Sequence, residues 1–194
     1  MNKYIDKNLK LTEHFSLSEM CSTSVQTADH NFPSQEVITN LKRLCGWLEE
    51  LRAYPQPLPK GGESGLQGGS GESSSKVNSI ENTNPRSGNA LHPSGGVGGG
   101  LPIYINSGYR SPAVNKAVGG VATSNHLTGC AADIRCTGIE QAIVYAFHLL
   151  MISRDWKEDF DELLVEHNSR TGNYWLHFAV RSKGNRRKIK FINK

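Results

Sequence analysis

DELLVEHNSRTGNYWLHFAV (161–180) is the stretch whose reading decides the fold. Two apolar-rich runs, DELLVEH (161–167) and YWLHFAV (174–180), flank the turn-forming NSRTG, so the segment reads as a β-hairpin. Successive side chains in a strand point to opposite faces. Leu176, Phe178 and Val180 therefore form a core face, and Trp175, His177 and Ala179 the other. On the first strand Leu163 and Val165 take the core face, which brings Glu166 out on the side of His177.

Working outward, CAADIRC (130–136) reads as a buried strand with Ala131 and Asp133 on one face; PIYIN (102–106) and KIKFI (188–192) are shorter β-runs. In HFSLSEM, Ser16 can cap a helix, Glu19 can close a capping box, and Phe15 with Met20 suits a hydrophobic staple. A longer helix follows Pro33 with Ser34 as cap. Its apolar stripe is Val37, Leu41, Leu44, Leu48 and Leu51, and prolines end it after Tyr54. Ser111 and Pro112 start another helix that Gly119 and Gly120 stop, and Thr137 caps a strongly apolar helix from 139. Helices first, then strands around one long helix, predict an α+β domain: a small, mainly antiparallel sheet packed with helices.

Hydrophobic residues make up 37% of the 194-residue chain, below the globular norm. The deficit is local, because residues 60–100 hold twelve of the twenty glycines. One domain over 1–182, interrupted by a flexible Gly/Ser-rich insertion at 60–100, is expected. The net charge of +4 is uneven: residues 181–194 carry seven Lys or Arg and no acid, so the remainder sums to −3. Residues 183–194 read as a basic tail, solvated or drawn to an anionic polymer such as cell wall. Without aromatic interleaving or a known module, no nucleic-acid partner is expected. No run is long and apolar enough for a membrane span, and the first residues show no signal-peptide core. A soluble monomer, cytoplasmic on synthesis, is the expectation. Cys21, Cys45, Cys130 and Cys136 show no CxxC spacing and read as reduced; Cys130 and Cys136 flank Asp133, yet fit small core residues better than ligands.

The chemistry gathers around SNHLTGCAADI (124–134). Fully extended, His126 and Asp133 would stand about 23 Å apart on opposite faces. They meet only if the chain folds back, and Leu127-Thr128-Gly129 supplies that turn, with Gly129 free to take positive φ. A carboxylate in an apolar strand needs a partner. A metal ion is one that also recruits His126 and, from the hairpin, His177. Two imidazoles, one carboxylate and an open fourth position describe a catalytic zinc site, one per chain, on the sheet face. Glu166 is the candidate general base. Glu162 is the weaker substitute, and His167 reads as a loop residue.

The run 124–133 fits Ser-x-His-x-x-Gly-x-Ala-x-Asp at every fixed position, with SGYRS (107–111) before it and WLH (175–177) after it. The chain thereby resembles the zinc D-Ala-D-Ala carboxypeptidase family, the M15 peptidases, and within it the phage endolysin and prophage branch, whose usual start HFSLSEM looks like. The resemblance implies zinc bound by His126, Asp133 and His177, Arg110 holding the scissile carbonyl oxygen, and Ser124 binding the substrate peptide. It also implies hydrolysis of amide bonds in peptidoglycan peptide stems, in cell wall lysis or remodelling. One position departs. Many relatives place an acid three residues before the last histidine, where this chain has Tyr174; some branches place it at the end of the preceding strand, where Glu166 sits. The alternative is a non-catalytic, zinc-containing module that binds cell wall peptides.

Overall fold

The computed structural model describes residues 6, 8–54 and 103–194; the insertion expected at 60–100 lies outside the described residues. Helices α1 (Leu17–Met20) and α2 (Gln35–Ala53) are followed by strand β1 (Ile105–Ser107) and helix α3 (Pro112–Ala117). A 3-10 turn (Asn125–Thr128), β2 (Ala131–Cys136), α4 (Ile139–Trp156), β3 (Glu162–His167), β4 (Tyr174–Ala179) and β5 (Lys188–Asn193) complete the order. The strands form one sheet in the order β1-β2-β4-β3-β5. All neighbours are antiparallel except β3 and β5. The fold is α+β, as expected.

The helices begin where side chains can satisfy free backbone N–H groups. Ser16 accepts from Glu19 N–H, Ser34 from Val37 and Ser111 from Val114, each at 3.3 Å. The apolar stripe of α2 is buried along its length, each leucine contributing about 1.5–3 kcal/mol relative to exposure. It meets the sheet through Trp47, whose ring lies 5.3 Å from that of Phe178. Leu163, Leu176, Phe178 and Val180 are at most 2% exposed, which places the core on the predicted face. The opposite face is left for the site.

One expectation changes. The cap of α4 is Gly138, not Thr137, and no side chain caps it; the Gln141 side chain reaches back and accepts the Thr137 N–H at 2.8 Å. The basic stretch 183–194 contains β5, at the β-run read from KIKFI, and this strand lies parallel to β3 with Lys188 opposite Glu162. Alternation in KIKFIN lets the lysines keep one side while Ile189 and Phe191 take the other. No helix among the described residues is long and apolar enough to cross a membrane.

Candidate metal centre

Asp133 and His177 are direct partners in the β2–β4 register, so their side chains rise together from the same face. Asp133 Oδ1 lies 2.8 Å from His177 Nδ1. His126 arrives from the 3-10 turn. Ser124 caps that turn, accepting the His126 backbone N–H at 3.3 Å, and Gly129 ends it at φ 70°. The positive φ expected of Gly129 is therefore present, and it folds His126 back over β2.

His126 Nε2 stands 3.3 Å from the same Oδ1. Its Nδ1 meets the Gly108 carbonyl at 2.6 Å. A carbonyl only accepts, so the hydrogen sits on Nδ1 and the Nε2 lone pair faces the centre. One donor atom from each of His126, Asp133 and His177 lies within 4.8 Å of the others, and all three residues are buried. Placed this close and away from water, the three atoms could hold a metal ion among them. The donor set of two imidazoles and a carboxylate fits zinc.

The surroundings sharpen the charge. Burial alone would raise the Asp133 pKa, yet His126 and His177 hold it well below the usual carboxylate range. Burial alone would lower that of His177, but its contacts with Asp133 and Glu162 push it up to about 9. A metal therefore has to displace a proton from His177 at neutral pH. Arg110 Nη2 donates to Asp133 Oδ2 at 2.6 Å, and its Nε to Ser107 Oγ at 2.7 Å. The aspartate thus divides its oxygens between the histidines and Arg110. Strand periodicity gives no hint of that Arg110 contact.

Leu164 pairs with His177 across β3 and β4, with Glu162 and Glu166 two residues to either side on the same face. The two carboxylates differ in what holds them. Glu162 Oε1 accepts from Lys188 Nζ at 2.9 Å and lies 3.0 Å from Arg186 Nη2. Its Oε2 accepts from Asn125 Nδ2 at 3.0 Å and lies 3.5 Å from His177 Nε2. The His177 contact, with Lys188, keeps its carboxyl well below the usual range. A carboxylate so surrounded is a poor proton acceptor. Glu166 is buried and forms an ion pair with Lys194, whose Nζ also sits 5.3 Å from the centre of the Trp175 ring. Both glutamates, Ser124, Arg110 and the three donors line one cleft of about 470 Å³.

Tyr174 belongs to the core side of β4, its ring stacked 4.2 Å from that of His167. Three residues along a strand reverse the face, so an acid at 174 would point away from His177 here. His167 itself ends β3 rather than lying in the loop, with Nδ1 2.8 Å from Asn193 Oδ1. Cys136 is in the core, and Cys130 is buried with Sγ 3.8 Å from the Thr128 carbonyl; neither joins the donor cluster. The charged network behind the centre carries no sequence signal. Asp161, 0% exposed, accepts from Asn125, next to His126, and from Arg186.

Residues 97–165 match the family model described as Peptidase M15. Over that stretch, about a third of the chain, it is similar to the M15 peptidases. The matched stretch includes Arg110, Ser124, His126, Asp133 and Glu162 and stops short of Glu166 and His177, which join the site through the sheet register alone. The match, with a residue trio that could hold a metal ion, supports a metal-dependent peptidase in general terms. No curated protein matches the chain.

Proposed function

We propose that this chain belongs with the M15 peptidases and is a zinc-dependent peptidase cutting amide bonds in the peptide stems of peptidoglycan, as a D-Ala-D-Ala carboxypeptidase or an endopeptidase of endolysin type. The observation that carries the reading is the convergence of His126 Nε2, Asp133 Oδ1 and His177 Nδ1 in an open cleft that also holds Glu166. His126, Asp133 and His177 would hold the metal. When bound, zinc supplies a Lewis acid for the scissile carbonyl and makes water more acidic. Glu166 takes the proton from the attacking water and returns it to the leaving amine. Arg110, fixed by Ser107 and Asp133, faces the same cleft and stabilises negative charge on the carbonyl oxygen. Ser124 keeps His126 in place as its turn cap and contacts the peptide from the cleft wall. The protein acts on the cell wall as a monomer without a nucleic-acid partner.

The Lys194–Glu166 ion pair favours a second reading, a zinc-containing module that binds wall peptides without cutting them. Zinc-loaded protein incubated with purified peptidoglycan separates the two. New amino termini, lost on chelation and in Glu166→Gln with zinc content unchanged, support the enzyme. Retained binding with no release from fully loaded wild type rejects it.

A further inference from the structure

Glu162 has no chemical step in that reaction, yet it is the most heavily held carboxylate beside the centre. Its grip comes from two directions. Asn125, in the turn that carries His126, donates Nδ2 to Glu162 and is itself oriented by Arg181 Nε, 2.8 Å from Asn125 Oδ1. From the other side Lys188 on β5 and the neighbouring Arg186 hold Oε1. Oε2, which also accepts from Asn125, is thereby aimed at the outer nitrogen of His177.

The two histidines present opposite nitrogens to the centre. His126 turns Nε2 inward and donates Nδ1–H to the Gly108 carbonyl. His177 turns Nδ1 inward, and its Nε2 is buried with no hydrogen-bond partner closer than the 3.5 Å contact to Glu162. An imidazole bound to a metal through Nδ1 carries its hydrogen on Nε2, and a buried N–H needs an acceptor. Among the described residues near that nitrogen, the Glu162 carboxylate is the acceptor in reach.

We propose that Glu162 is a positioning residue: by accepting Nε2–H it selects Nδ1 as the metal-binding atom of His177, while the turn and β5 hold the carboxylate in line. The inference rests on the metal-centre reading above. It makes Asn125, Arg186 and Lys188 supports of metal binding although none touches the metal.

The test measures zinc affinity, by competition with a chromophoric chelator, for wild type, Glu162→Ala and Glu162→Gln. Losing such a partner typically weakens metal binding 10–100-fold. Glu162→Ala should show that loss, and Glu162→Gln, whose amide oxygen can still accept Nε2–H, should recover most of it. Nitrogen-15 spectra of zinc-loaded wild type supply a readout independent of variant folding: His177 bound through Nδ1 with Nε2 protonated, His126 bound through Nε2. Coordination of His177 through Nε2 overturns the inference. So does a Glu162→Ala protein that binds zinc as tightly as wild type. If wild type itself binds no zinc, the metal-centre reading falls and takes this inference with it.

Discussion

Gly129→Ala tests the turn that brings His126 to Asp133. Gly129 sits at φ 70°, and a Cβ there would lie 2.8 Å from Val37 Cγ1, 2.9 Å from the Val37 carbonyl oxygen and 3.1 Å from Leu41 Cγ. The left-handed backbone costs alanine about 1–2 kcal/mol. Overpacking against α2 adds about 1–3 kcal/mol, because two of the three obstructing atoms are a buried leucine and a helix carbonyl. Gly119 provides the control. It has φ 72°, and a Cβ at that position would meet nothing within 4 Å, so Gly119→Ala carries the backbone cost alone. The entropy lost from the unfolded chain is the same in both and cancels. The difference between the variants should therefore be about 2 kcal/mol, equivalent to about 4–8 °C in Tm for a chain of this size. Asn40 Nδ2 donates to the Thr128 carbonyl at 2.9 Å, so a shift at the α2 contact also moves the turn bearing His126. Urea denaturation, paired with zinc titration, reads both effects: Gly129→Ala should lose stability and zinc affinity, and Gly119→Ala should keep its affinity. Equal stability losses, within about 0.5 kcal/mol, would refute the packing argument.

The remaining predictions follow from charge and from sheet geometry. In metal-stripped protein the His177 pKa is raised from 6.5 to about 9, so its stabilisation is complete below pH 6.5 and disappears as pH rises through about 9. Stability of the stripped protein should fall across that interval while zinc affinity rises, as the competing proton leaves; a flat stability profile would contradict it. Asp161→Ala strands Arg186 and Asn125 and should cost about 3 kcal/mol, the low end for a broken buried pair since the arginines stay partly exposed; denaturant midpoints check it. Tyr174→Glu should not restore hydrolysis in a Glu166→Gln background, because position 174 faces the core side. Recovery in a peptidoglycan release assay would show that the strand face has been misassigned.

How far the sequence alone reaches can be traced through particular residues. Strand period 2 placed Asp133, His177 and both glutamates on one face, and the small residues around Gly129 announced the reversal that delivers His126. These are local signals, and they survive folding intact. Glu162 and Glu166 could not be ranked that way. What separates them is the company of Asn125, Arg186 and Lys188, and the parallel pairing of β5 with β3 that supplies two of the three is a long-range contact. The β-run at KIKFI was legible in the sequence, but its parallel partner β3 was not. Thr137 lies one residue ahead of the cap, Gly138, a displacement that propensity does not register.

Strand β5 also guards the border of the sheet. A free edge exposes unpaired N–H and C=O groups to any foreign strand, and Ile189 and Phe191, 54% and 55% exposed, would make this one sticky. Lys188, Lys190 and Lys194 answer with charge at every second or fourth step. Neutralising them to improve a binding site would therefore carry a solubility penalty unrelated to chemistry, and self-association should precede any loss of fold.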